Sequence, residues 1–222
     1  MSAQSMLEQL LKSAQQTLDP KRSTDWGSFG KGAATGGLLG LLVGTQSGRR
    51  LGGKALKYGS LAALGVLAYK AYDSWQQQQR APGAAAPTPA APPQALPAPE
   101  AEQRSRRLLK AMVAAAKADG HLDDAERAKV EEAFTRLEAD TATRQWLEAE
   151  LRRPLDPADV AREAAGAPEQ ASEVYLASLL VVDETSTMER LYLDELARQL
   201  RLPDDLRRQL EAQAAAAAAG TS

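Results

Sequence analysis

Six glycines, Gly32, Gly36, Gly40, Gly44, Gly48 and Gly52, follow one another at intervals of four residues. Four residues is a little over one helical turn, so on a helix the six form one slowly drifting face. Each glycine costs a soluble helix roughly 1 kcal/mol relative to alanine. Six in a row therefore need a compensating gain, and the usual one is close approach of a second backbone, as in the small-xxx-small packing of membrane helices. The residues between them include Ala33, Ala34, Leu38, Leu39, Leu41, Leu42 and Val43, and no charge falls between Lys31 and Arg49. The expectation is a glycine zipper that associates with membrane lipid and with itself.

The flanking sequence extends this reading. Residues 5–18 place Met6, Leu7, Leu10, Leu11, Ala14 and Leu18 at helical spacing, an amphipathic helix bounded by Pro20. The polar loop 19–31 holds Trp26 and Phe29, aromatics of the kind common at a membrane interface or in a local apolar contact. Gly32–Gly48 is an uncharged stretch of seventeen residues, and a second apolar run, Tyr58–Tyr69, has twelve. A spanning helix needs about 20 apolar residues, with a lower limit near 17. A helical hairpin, a single tilted span and an oligomeric zipper lying at the interface all fit. Basic residues flank both runs on both sides, so orientation is not legible. Met1–Asp25 is polar and does not have the pattern of a secretory signal.

Residues 81–99 hold seven prolines and eight alanines in nineteen positions. That composition is expected to form a disordered or extended Pro/Ala linker, reaching up to about 60 Å at roughly 3 Å per residue. The expected organisation is an N-terminal helix and loop over 1–31, a membrane-associated glycine zipper over 32–80, the linker over 81–99 and a helical domain over 100–222. Charge divides along similar lines. Residues 1–80 carry ten Lys/Arg against four Asp/Glu, and the rest carry seventeen against twenty-five. The basic part suits anionic headgroups, and the acidic part argues against nucleic acid as its partner. With no cysteine and one histidine, the chain has no disulfide framework, no thiolate nucleophile and no site needing two imidazoles.

From Glu100 onward the periodicity is helical throughout, with helices expected at 100–118, 124–139, 141–152, 157–165, 169–182, 187–200 and 203–218. Asp123 and Ser186 each precede a glutamate by three residues, as in a capping box. Pro157 and Pro203 suit the first turn of a helix. Val174–Val182 is apolar almost all round, the pattern of a central helix buried by others. The fold class is all-α, a bundle of about seven helices behind a glycine-zipper hairpin anchor.

The two capping boxes belong to an internal repeat. One copy reads Ala118-Asp119-Gly120-His121-Leu122-Asp123-Asp124-Ala125-Glu126-Arg127, and the other runs from Val182-Asp183-Glu184 through Ser186 to Glu189-Arg190 and the helix Leu191-Tyr192-Leu193-Asp194-Glu195-Leu196-Ala197. This pair of motifs resembles the TerB-like domains, an all-helical family named for tellurite resistance. A Gly-rich segment, a Pro/Ala linker and such a domain in that order are similar to the YebE-like inner-membrane proteins of bacteria. The resemblance covers residues 104–202 well and 30–75 loosely. It implies a bacterial envelope setting, here the inner membrane, and a stress-related or metal-related role; the side of the helical domain stays open, with the cytoplasmic side favoured. It implies no catalytic activity.

The acidic turns are the candidate chemistry. Asp119, Asp123, Glu126 and Asp183 are hard oxygen donors suited to Ca²⁺ or Mg²⁺ if the turns face each other. An EF-hand is excluded, because counting Asp119 as position 1 puts glycine at position 2 and Val130 at position 12. The plainer reading is helix capping: Asp123 and Ser186 as N-caps, Glu126 and Glu189 one turn in, where the helix dipole favours negative charge. His121 reads as an exposed turn residue. Ser178 and Ser186 have no visible base partner, so a hydrolase is disfavoured. Tyr175, Tyr192, Trp146 and Phe134 read as core, and the pairs Arg106-Arg107, Arg152-Arg153 and Arg207-Arg208 as a solvated face. The expected function is a non-enzymatic, membrane-anchored envelope protein whose helical domain binds a protein partner or senses a signal, with divalent-metal binding as the alternative.

Overall fold

A computed structural model describes residues 2–8, 61–79, 98–118, 140–164, 166–182 and 186–219. These residues form eight α-helices and no strand. In chain order they are α1 (3–8), α2 (Leu61–Gln78), α3 (Ala98–Ala116), α4 (Thr141–Arg152), α5 (Pro157–Arg162), α6 (Pro168–Leu179), α7 (Thr187–Gln199) and α8 (Asp204–Ala219). The glycine ladder, most of the Pro/Ala linker and the segment 119–139 lie outside the described residues.

Local sequence sets the helix ends. The Asp140 carboxylate accepts from Thr143 N–H at 2.7 Å and starts α4. Asp156 accepts from Ala158 N–H at 2.9 Å, with Pro157 in the first turn of α5. Ser186 Oγ accepts from Glu189 N–H at 3.4 Å, so the expected cap begins α7. The far end of α7 closes with a left-handed residue, Arg201 at φ 55°, and the Leu202 N–H donates back to the Ala197 carbonyl at 3.0 Å. Pro203 lies just before α8, and its carbonyl accepts from Arg207 N–H.

The centre of the bundle is α6. Every residue from Val174 to Leu179 is buried, as the all-round apolar pattern implies, and the helix packs against α2, α3, α7 and α8. On α3, Leu108, Leu109, Ala111, Met112 and Ala115 face the same core. This helix also packs on α4 and α5.

The N-terminal helices depart from the expected organisation. The second apolar run, read as an arm of the membrane hairpin, supplies α2, and α2 is a bundle helix. Leu64, Ala68 and Ala71 are buried, and the helix packs against α6 and α8. Its Gly65 lies under the Arg104 guanidinium, where a Cβ would collide. An apolar helix stripe buried by neighbouring helices looks the same in sequence as one buried by lipid, which is why the two are confused. In the same way α1 joins the core through Ala3, Met6 and Leu7, all of them almost wholly buried. Burying Met6 and Leu7 stabilises the docked helix by roughly 1.5–3 kcal/mol each. No helix among the described residues is long and apolar enough to cross a membrane.

Candidate functional site

Charge inside the bundle is concentrated on one stripe of α3 and the residue just past its end. Arg104, Arg107, Lys110 and Lys117 recur at three-residue steps or a multiple close to the helical repeat, so they share a face. That face looks toward carboxylates on three other elements. Arg104 makes a two-pronged pair with Glu173 of α6, at 2.9 and 2.8 Å. Lys110 reaches Asp159 of α5 at 2.9 Å, Glu163 at 3.1 Å and Glu150 of α4 at 3.9 Å. Lys117 donates to the carbonyls of Glu150 and Arg153, both at 2.9 Å, and so closes the C-terminus of α4.

Around Lys110 and Lys117 lies a small cleft, lined also by Val113, Ala114, Leu155 and Val160. Arg153 crosses its mouth, donating to Glu150 at 3.2 Å and to Asp159 at 3.3 Å, and Arg162 holds the other oxygen of Asp159 at 2.7 Å. The Lys110 hydrogen bond, with the nearby arginines, holds the Asp159 carboxyl below its ordinary range in spite of partial burial. Burial works against the charge on Lys110, but Asp159 and Glu163 outweigh it and hold the ammonium pKa above its usual value. Lys117 goes the other way: burial lowers its pKa, and Glu150 only partly offsets this. The lining residues include no Ser, Thr, Cys or His. Lys110 is held protonated by its carboxylates, so it is not poised as a nucleophile. The arrangement does the work of a joint, fixing α3, α4 and α5 against one another.

Two further polar joints complete the set. Tyr175 is fully buried and donates to Glu211 of α8 at 2.6 Å. Arg207 donates to both Tyr175 Oη and Glu211, and its other end pairs with Asp194 of α7 at 2.5 Å. Burial and the Glu211 carboxylate push the Tyr175 phenol well above its ordinary value. At the other end of the bundle the Glu102 carboxylate accepts from Ala3 N–H at 3.0 Å and Gln4 N–H at 3.1 Å, capping α1 from a distant part of the chain. Burial opposes the charge of Glu102, but these two bonds and Arg106 hold its carboxyl below the usual range.

The expected site residues fare as follows. Asp119, Asp123, Glu126 and Asp183, the metal candidates, lie outside the described residues, as does His121. Among the described residues no group of three or more His, Asp or Glu side chains is placed to hold a metal ion. Glu189, read as the capping-box glutamate, is buried at the capped start of α7. Ser178 is buried and donates to the Ala111 carbonyl at 3.4 Å. Tyr175 and Tyr192 are core, as expected, and Trp146 packs beside the core with the Arg106 guanidinium over its ring. The arginine pairs depart from the expected solvated face, because one member of each is built into the fold. Arg107 is half-buried, Arg153 crosses the cleft, and Arg207 joins α7 to α6 and α8. Sequence reasoning missed the α3 stripe. Its signal was cations at three-residue steps beside Leu108 and Leu109, on a helix whose outer face is also charged.

These features define an all-helical bundle tied together by interhelical ion pairs. The chain belongs to the family described as "Protein of unknown function (DUF533)", which matches residues 28–214. That family is TerB-like, in keeping with the repeat of acidic turns. The chain is also similar to the "Uncharacterized protein in ampR 5'region" of Yersinia enterocolitica, at 34% identity over 110 residues, or 50% of this chain and 78% of that one. No solved structure matches it.

Proposed function

We propose that this chain is a non-enzymatic protein of the bacterial envelope, held at the inner membrane by its glycine segment. Its TerB-like bundle then serves as an interaction or sensing domain on the cytoplasmic side, as in the YebE-like proteins that it resembles. One observation carries the reading. Between Asp25 and Asp73 there is no acidic residue, and the six-step glycine ladder stands within that stretch, flanked by Lys31, Arg49, Arg50, Lys54 and Lys57. An apolar run bordered only by cations suits an anionic lipid surface, and glycines at four-residue steps suit self-association there. The test is membrane fractionation with alkaline extraction, comparing the full chain with a variant lacking residues 32–48. The full chain is expected to pellet with the membranes and the deletion to move to the soluble fraction. A full chain found in the soluble fraction defeats the proposal.

A further inference from the structure

The piece of the bundle with the fewest ties to it is α1. It covers residues 3–8, and six residues are too few to hold a helix alone in water. Its apolar face is nonetheless enclosed: Ala3, Met6 and Leu7 are each at most 1% exposed and belong to the common core. Ser5 and Glu8 on the other side are exposed. Among the described residues, every hydrogen bond joining α1 to the rest of the bundle runs to one group. The two oxygens of the Glu102 carboxylate accept from Ala3 N–H and Gln4 N–H, at 3.0 and 3.1 Å. The side-chain bonds of α1 itself, Gln4 to Glu8 and Ser2 to Ser5, stay within the segment. Glu102 is held in position from the bundle's side by Arg106 at 3.2 Å, and the Arg106 guanidinium lies over the Trp146 ring.

The seat therefore selects a short amphipathic helix with a small side chain at its first position, large apolar ones three and four residues on, and two unpaired amides at its start. The α1 of any copy of this chain meets those terms. Glu8 is separated from Leu61, the first residue of α2, by residues 9–60, fifty-two in number. A connection of that length can reach a neighbouring copy's seat as well as its own. Releasing α1 also leaves the packing of α2, α3 and α8 on α6 untouched.

We propose that the α1 seat is an interaction surface between copies of this chain: the N-terminal helix of one copy docks in the seat of another, with its first amides on that copy's Glu102. The contacts are the same in either arrangement, so exchange has little cost, and local concentration decides between them. The exchange requires neither lipid nor the glycine ladder, and it gives the bundle an interaction surface of its own.

The test uses two full-length variants with complementary defects. Met6→Asp with Leu7→Asp gives a copy whose α1 cannot enter a seat, and Glu102→Ala gives a copy whose seat holds α1 poorly. The chain has no cysteine, so Ala212→Cys, at an exposed position of α8, supplies the attachment point for donor and acceptor dyes. Energy transfer is then followed in three mixtures: each variant with itself, and the two together. Association through any other surface is the same in all three. The complementary mixture is expected to associate at least about tenfold more tightly than either variant alone, as the bonds to a charged carboxylate imply. Equal association in all three overturns the proposal. A second readout needs no variant to fold. A synthetic peptide of residues 1–12, with a photoreactive methionine analogue in place of Met6, is irradiated with the unsubstituted full chain. It is expected to crosslink to the bundle and to be displaced by excess unlabelled peptide; failure to crosslink, or crosslinking that the excess does not suppress, overturns the proposal.

Discussion

Replacing Lys110 with methionine keeps the apolar stem of the side chain and removes the ammonium that joins α3 to α4 and α5. Asp159 would keep Arg153 and Arg162, but those side chains are 56% and 70% exposed and hold their charge weakly. Glu150, at 9% exposure, would keep Arg153 as a direct ion pair and Lys117 as a nearby charge. Stripping one partner from a fully buried pair costs roughly 3–5 kcal/mol. Glu163 is half-exposed and Asp159 partly so, and solvent screening reduces that figure to about 2 kcal/mol. In a chain of this size that lowers Tm by roughly 4–8 °C. The pH dependence is a second handle. The depressed carboxyl of Asp159 contributes stability that is complete above the unfolded carboxylate value, about 4, and is lost as pH falls through the folded value. The raised ammonium of Lys110 contributes stability that is complete below the unfolded lysine value, about 10, and is lost as pH rises through the folded value. Lys110→Met should therefore show its full penalty between about pH 5 and pH 9, shrinking below about pH 4. Urea titrations of the full chain, read by far-UV circular dichroism at neutral and acid pH, measure both. A loss under about 1 kcal/mol at neutral pH, or an equal loss at acid pH, refutes the reasoning, since exposed pairs contribute up to about that much.

Three other outcomes follow from the same structure. Arg201→Gly should stabilise the chain by about 1 kcal/mol in the same titrations, because the left-handed φ of 55° that ends α7 strains any side chain but suits glycine; a loss of stability would mean that the turn depends on the arginine itself. Nicking within residues 81–97 should leave the two pieces co-eluting on gel filtration, because α1 and α2 are packed on the C-terminal helices; separation into two peaks would contradict that packing. If the acidic turns bind a divalent cation, added Ca²⁺ or Mg²⁺ should raise the Tm of the full chain by an amount that grows with free metal, and Asp119→Asn with Asp183→Asn should abolish the rise. An unchanged melting curve leaves capping as the account of those turns.

Much of the bundle was legible because its helices carry their own punctuation. The expected 141–152 coincides with α4, where Arg153 ends the helix in extended backbone, and the expected 187–200 ends one residue past α7. The central place of α6 could be read from Val174–Val182, since a helix without a polar face has to be enclosed. The role of α2 could not. Its apolar stripe satisfies a bilayer and a protein core equally, and the discriminating contact, Arg104 lying over Gly65, joins residues far apart in sequence. The Lys110 joint was hidden for the same reason, because Glu150, Asp159 and Glu163 reach it only once α4 and α5 are folded back on α3. The solvated appearance of Arg207 was misleading. Its partners Asp194 and Glu211 look like ordinary surface acids until Tyr175 is seen buried beneath them.

The central claim is that α1 and α2, on either side of the glycine segment, are parts of one cooperative bundle. Native-state hydrogen exchange on the full chain bound to anionic vesicles tests it most directly. The buried amides of α2, around Leu64, Ala68 and Ala71, should open with the same free energy and denaturant dependence as those of α6, and those of α1 should be slowed as long as Glu102 is intact. Exchange of α2 at the rate of an unfolded chain, or an opening free energy independent of α6, would show that these helices belong to the membrane segment and not to the bundle.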